Sequence, residues 1–181
     1  MEKKTKTAKR KQYLNDFRPS VNGEYVYTGD HFRPNNEAKE FSRLRITVLL
    51  TAVISAVLVI SAGLLPAAGS LNCFYVILPF LAVIICCFIK AWKTARLFIS
   101  GIPVREYVYK KTVPEIPGWT LAESISAAVT LVAEILYLLL NGFGGREIYT
   151  VSFMCLMGLT AAIDLLMRRA FLGISWSETA K

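Results

Sequence analysis

Four long apolar runs decide what this chain can become. The hydrocarbon core of a bilayer is crossed by about 20 apolar residues at roughly 1.5 Å rise each. Ile46–Leu65 and Leu71–Ile89 supply such runs without a single charge. Leu121–Leu140 carries Glu123 and Glu134, and Ile148–Met167 carries only Asp164. A helix of a soluble bundle keeps a polar face, and the first two runs have none. The expected fold class is an all-α integral membrane protein: four transmembrane helices as two helical hairpins, under a small cytoplasmic cap with room for a short two-stranded pairing. Residues 1–45 form a basic arm and cap segment, 46–89 the first hairpin, 90–120 an amphipathic connection, 121–167 the second hairpin, and 168–181 a tail.

Charge sets the expected orientation. Of the 21 Lys and Arg residues, 11 lie in residues 1–45, 6 in 90–120 and 3 in 168–181, leaving only Arg146 in the two remaining connections. That 20 to 1 split places both termini in the cytoplasm of a multi-pass protein of the cell (plasma) membrane. The stretch before Ile46 is polar, so the first span is expected to act as an uncleaved anchor. With 181 residues at 54% hydrophobic and a mean hydropathy of +0.45, the chain does not fit a soluble enzyme, a disordered segment or a disulfide-stapled module. The net charge of +8 is read as a topology signal. Lys3, Lys4, Lys6, Lys9, Arg10 and Lys11 form a polybasic arm suited to anionic lipid. No aromatic interleaving accompanies it, so nucleic acid is not an expected partner.

The soluble parts carry a repeat. Phe17-Arg18-Pro19 recurs as Phe32-Arg33-Pro34, and Glu24-Tyr25-Val26-Tyr27 recurs as Glu106-Tyr107-Val108-Tyr109. Either the chain is a tandem duplication of a strand plus a helical hairpin, or the two Tyr-Val-Tyr segments pair as strands; coincidence is the third reading. His31 falls between the Phe-Arg-Pro copies and reads as a loop residue. Asn35 or Asn36 is positioned to cap the helix that runs into the first span. Lys90 through Phe98 continue the second span as an amphipathic stretch, with Trp92 and the basic residues at headgroup depth. Pro114 through Trp119 break regular structure before the third span.

Ionisable residues inside spans are candidates for function, because burying a charge in hydrocarbon costs at least a few kcal/mol. Thr120 and Glu123 have the spacing of a capping box. Asp164 and Arg168 have the spacing of an intrahelical ion pair. Glu134 has no such local partner, and a carboxyl isolated in hydrocarbon favours its neutral form. It belongs to a polar row, Glu123, Thr130, Glu134, Tyr137 and Asn141, that follows one helix face. Pro79 leaves the Tyr75 carbonyl without its helical donor, and Glu134 is expected to reach it. Glu134, Thr130, Tyr137 and Tyr75 are thus the candidate proton or cation site. A weaker row, Thr47, Thr51 and Ser55, lines the first span. Gly158 and Ala162 offer a small-residue contact on the fourth.

No zinc-protease motif, nucleophile elbow, P-loop or dinucleotide fingerprint occurs, so neither enzymatic activity nor a cofactor is expected. The four cysteines all fall within spans and read as packing residues rather than metal ligands. Two functional expectations follow. One is an accessory or scaffold subunit that docks a protein partner on its cytoplasmic surface. The other is a small transporter or channel subunit that works as a homo-oligomer and uses Glu134.

Overall fold

A computed structural model of the chain describes residues 17–19, 25–27, 29–35 and 38–179. The polybasic arm and the Asn22-Gly23 turn lie outside them. In chain order the elements are β1 (Phe17–Pro19), β2 (Tyr25–Tyr27), β3 (His31–Pro34), α1 (Ala38–Gly63), α2 (Ala68–Asn72), α3 (Phe74–Ile99), β4 (Val104–Arg105), α4 (Glu106–Thr112), α5 (Ile116–Asn141), α6 (Glu147–Leu172) and β5 (Trp176–Thr179).

Every apolar run becomes part of a 26-residue helix, α1, α3, α5 or α6. Such a helix is about 39 Å long, and each of the four is long and apolar enough to cross a membrane. Each also overruns its apolar run by five or more residues at the same end of the bundle. α1 starts at Ala38 rather than Ile46, α3 continues past Ile89 to Ile99, α5 starts at Ile116 rather than Leu121, and α6 continues past Met167 to Leu172. Loss of apolar character does not stop a helix when the next residues are good helix formers such as Lys, Ala and Arg. Pro117 does not interrupt α5 either, because it sits in the first turn, where no intrahelical N–H is required. Thr120 is consequently inside the helix and its hydroxyl donates to the Pro117 carbonyl, so the expected capping box does not form.

α5 packs against α3 and α6, and α1 closes the ring against α6 and α3. Val59, Ala62, Val83, Ala127, Phe153 and Met157 fill the centre. The outer surface is apolar as well: Leu50, Ile60, Phe88, Val132 and Leu139 are each more than half exposed. Such a surface matches lipid rather than water. The small-residue contact on α6 is not formed. Ala162 is exposed, and the nearest side-chain atom to a Cβ built at Gly158 is 3.7 Å away on Leu131.

At the overrun end a cap forms. β3 is the middle strand of a three-stranded sheet, antiparallel to both β4 and β5. Phe32 faces Val104 on one side and Glu178 on the other. β1 pairs separately with β2, Arg18 opposite Val26. Strand pairing is therefore present, but with other partners than expected. Both Phe-Arg-Pro copies are strands, whereas the second Glu-Tyr-Val-Tyr copy is the helix α4. Identical letters in a strand and a helix do not make a repeated structural unit. The copies still meet through their rings: Tyr27 contacts Tyr107 edge-on at 6.1 Å between centroids. His31 lies in β3, not in a loop, with its ring against Tyr27.

A second apolar cluster fastens the cap to the bundle. Val48, Ala52, Val113, Ile116, Met167 and Phe171 form it, with Tyr109 and Trp176 packed on its edge. Phe32 stacks on Tyr109 at 4.2 Å, and Tyr109 meets Trp176 at 5.4 Å. One tyrosine of α4 thereby joins β3, β5 and the bundle.

Candidate functional site: a buried charged layer

The face of α3 that packs inward runs Val76, Val83, Cys87, Lys90, Thr94. Those positions are three, four or seven residues apart, the spacing of one helix face. Because α3 continues to Ile99, Lys90 lies about 13 Å inside its end. It is the largest fully buried side chain of the described residues. Its ammonium meets three groups from three other helices: Asp164 Oδ1 at 2.5 Å, Glu123 Oε2 at 2.8 Å and Ser55 Oγ at 2.8 Å. The Ser55 hydroxyl in turn donates to Glu123 Oε1 at 3.0 Å. Each of the four long helices contributes one residue, and all four residues are 0% exposed.

This arrangement changes the assignment of two acids. Asp164 turns to Lys90 rather than along its own helix to Arg168, whose Nε has no hydrogen-bond partner. Glu123 is an ion-pair partner rather than a cap. Lys90 itself belongs to this layer and not to the headgroup region. Lys93, three residues on, does reach outward, pairing with Glu115 at 2.5 Å. Of the weaker row on α1, Ser55 enters the layer, while Thr47 and Thr51 return their hydroxyls to the carbonyls of Arg43 and Thr47.

Glu134 lies at the other end of α5, eleven residues from Glu123 and close to three full turns away. It too is 0% exposed. Its Oε1 accepts the backbone N–H of Gly69 at 2.9 Å, not a contact with the Tyr75 carbonyl, and its Oε2 has no hydrogen-bond partner. Beside it the Thr150 hydroxyl accepts the N–H of Ala68 at 3.0 Å. The first N–H groups of a helix have no partner within it, and Glu134 and Thr150 supply two for α2. A Cβ at Gly69 would collide with the Glu134 carboxylate and come within 3.1 Å of the Tyr137 ring, so the turn approaches α5 as closely as only glycine permits. Tyr137 is therefore brought to Glu134. Thr130 is buried one turn away, but its hydroxyl donates to the Ser126 carbonyl. The cysteines are free thiols, Cys86 and Cys87 buried, Cys73 partly so and Cys155 exposed.

Between the two acidic sites stands the apolar cluster of Val59, Val83, Ala127, Phe153 and Met157. The class defined by fold and site is a membrane-type four-helix bundle with a charged layer nearer its capped end and a separate acid at its far end. Comparison with protein-family models, curated proteins and solved structures returns no match.

Proposed function

We propose that the chain is an accessory or scaffold subunit of the cell membrane that presents its cap, from the cytoplasmic side, to a protein partner. The observation that carries this reading is the three-stranded sheet. It gathers residues from before α1, between α3 and α4, and after α6 into one surface. Loose connections would not need such a fold. Among the described residues the far end offers only the turns around α2 and residues 142–146. Removing Lys90 from the count leaves 19 basic residues against one, so charge still favours the capped end inside. The polybasic arm would add attraction to anionic lipid.

Among the described residues β5 is an outer strand of that sheet, and an outer strand suits pairing with a partner strand. Purification in mild detergent with a tag on the intact chain tests the reading. A stoichiometric partner is expected, and Glu178→Pro, which removes an N–H on the side of β5 turned away from β3, is expected to release it. A chain recovered alone under conditions that keep the bundle folded would refute the proposal.

A second reading has its own support: a small oligomeric transporter or channel subunit. One cation and two acids meet inside the bundle, and buried charge clusters of this kind serve ion pathways. The layer around Lys90 is a better candidate for coupling than Glu134, whose carboxylate is engaged by α2. Reconstitution into liposomes with an internal pH dye distinguishes the two readings. Proton or cation flux abolished by Asp164→Asn, but not by Glu134→Gln, would favour transport over scaffolding.

A further inference from the structure

The contacts of the two acids in the charged layer are unequal, and the inequality matters because the charges do not cancel. Lys90 brings one positive charge against the two carboxyls of Glu123 and Asp164, so full ionisation leaves a net charge of −1. All three side chains are 0% exposed. The Lys90 ammonium donates to Ser55 Oγ and Asp164 Oδ1 and stands 2.8 Å from Glu123 Oε2 as an ion pair. Glu123 is contacted at both oxygens: Oε1 accepts the Ser55 hydroxyl, and Oε2, which accepts no hydrogen bond, lies 2.8 Å from the Lys90 ammonium as an ion pair. Asp164 is served at one, and its Oδ2 is buried without a hydrogen-bond partner. A bare carboxylate oxygen in such a place costs more than a neutral hydroxyl.

Among the described residues no second cation pairs with either acid. From α3 the flanking groups are Cys86, Cys87 and Thr94; from α5, Ser124; from α6, Thr160 and, one turn on, Arg168. The Ser124 hydroxyl donates to the Ala161 carbonyl at 3.1 Å and the Thr160 hydroxyl to the Leu156 carbonyl at 2.8 Å. The Arg168 guanidinium makes no ion pair within 4.0 Å among the described residues. On the far side the layer is closed by Val83, Ala127 and Met157.

We infer that the layer is a proton-binding site: it holds one proton at Asp164, beside an ionised Lys90–Glu123 pair. The step is simple association: a carboxylate oxygen binds a proton that solvent hydronium gives up, leaving water, and becomes a carboxylic acid, with no redox partner required. The proton neutralises the layer and occupies no extra volume. Its retention depends on the Glu123 charge: without that charge Lys90 and Asp164 balance alone, and the proton leaves. This inference is independent of the docking reading, which concerns the cap.

The chain has three aspartates, Asp16, Asp30 and Asp164, so carbon-13 carboxyl labelling of aspartate gives three resonances from the unmodified protein in lipid bilayers. At neutral pH one resonance is expected at the protonated position and two at the ionised position. The protonated resonance should survive Asp16→Asn and Asp30→Asn, which assigns it to Asp164 without disturbing the layer. Glu123→Gln should move it to the ionised position. Three ionised resonances would overturn the proposal. So would a resonance that stays protonated in Glu123→Gln, because the charge count would then not be what holds the proton. Exchange of sodium for potassium should leave all three unmoved; a shift at Asp164 would mark a metal-cation site instead and also overturn the assignment.

Discussion

Glu123 and Glu134 occupy one face of one helix, about 16 Å apart, are equally buried, and are satisfied in opposite ways. Glu123 has a cation from α3 and a hydroxyl from α1. Glu134 has a backbone amide of α2 and no cation among its contacts. A carboxylate inside a bundle needs donors, and a cation is one kind of donor among several. Which kind it finds decides what it holds together. The layer around Lys90 ties four helices to one point, whereas Glu134 ties a five-residue helix to the end of α5.

The largest effect expected from this contrast comes from Lys90→Met. The substitution leaves two acids in a dry layer without their cation. Breaking a buried ion pair from one side typically costs about 3–5 kcal/mol. Denaturant unfolding in detergent micelles should show a loss of that order. Replacing all three ionisable side chains together, Lys90→Met with Glu123→Gln and Asp164→Asn, should recover most of it, since a layer without ionisable groups has no charge to desolvate. If the triple variant is as unstable as Lys90→Met, the damage is lost packing and not uncompensated charge.

The far site predicts a smaller loss. Glu134→Leu removes the acceptor of the Gly69 amide, and an unsatisfied buried donor costs about 1–3 kcal/mol. Glu134→Gln keeps an oxygen at that position and should cost less than half as much. Equal losses for the two would mean that the charge of Glu134, not its hydrogen bond to α2, does the stabilising. Unfolding midpoints measured under the conditions used for Lys90→Met decide between them.

Much of this was legible in the chain. The four long helices follow from long apolar runs, two of them free of charge, and the polar row on α5 follows from helical periodicity; Glu123, Thr130 and Glu134 all face inward. Lys90 was hidden because the apolar run stops at Ile89, and the end of a run resembles the end of a span. The helix ignores that boundary, and the phase of Val83 and Cys87 would have carried Lys90 to the inside. Asp164 and Arg168 have the spacing of a local pair, yet Lys90, 74 positions away, takes the carboxylate. Local spacing states what can meet on an isolated helix and is silent about the neighbouring helix. Glu106-Tyr107-Val108-Tyr109 has strand-forming residues, but Glu106 pairs with Lys110 one turn on and Val108 is buried, which suits a helix. The contact of Gly69 with Glu134 had no signal in the chain beyond the glycine itself.

The smallest expected effect concerns Lys93 and Glu115. This ion pair joins α3 to the residue before α5, the same two helices joined by Lys90 and Glu123, and its separation of 2.5 Å is no longer than theirs. Distance alone would rank it at least equal. Its setting ranks it lower, because the Glu115 side chain is 48% exposed and that of Lys93 is 17% exposed. Water already solvates the acid when the pair opens, and salt screens the attraction when it closes. Lys93 also keeps a second acceptor, the Lys111 carbonyl at 3.1 Å. Glu115→Gln should therefore cost no more than about 1 kcal/mol, and the cost should shrink as salt is added. The loss in Lys90→Met should hold in the same salt series, because no ion reaches that layer from solution. A salt-dependent loss at Lys90 would show that the layer is open to solvent and that burial is not what separates the two pairs.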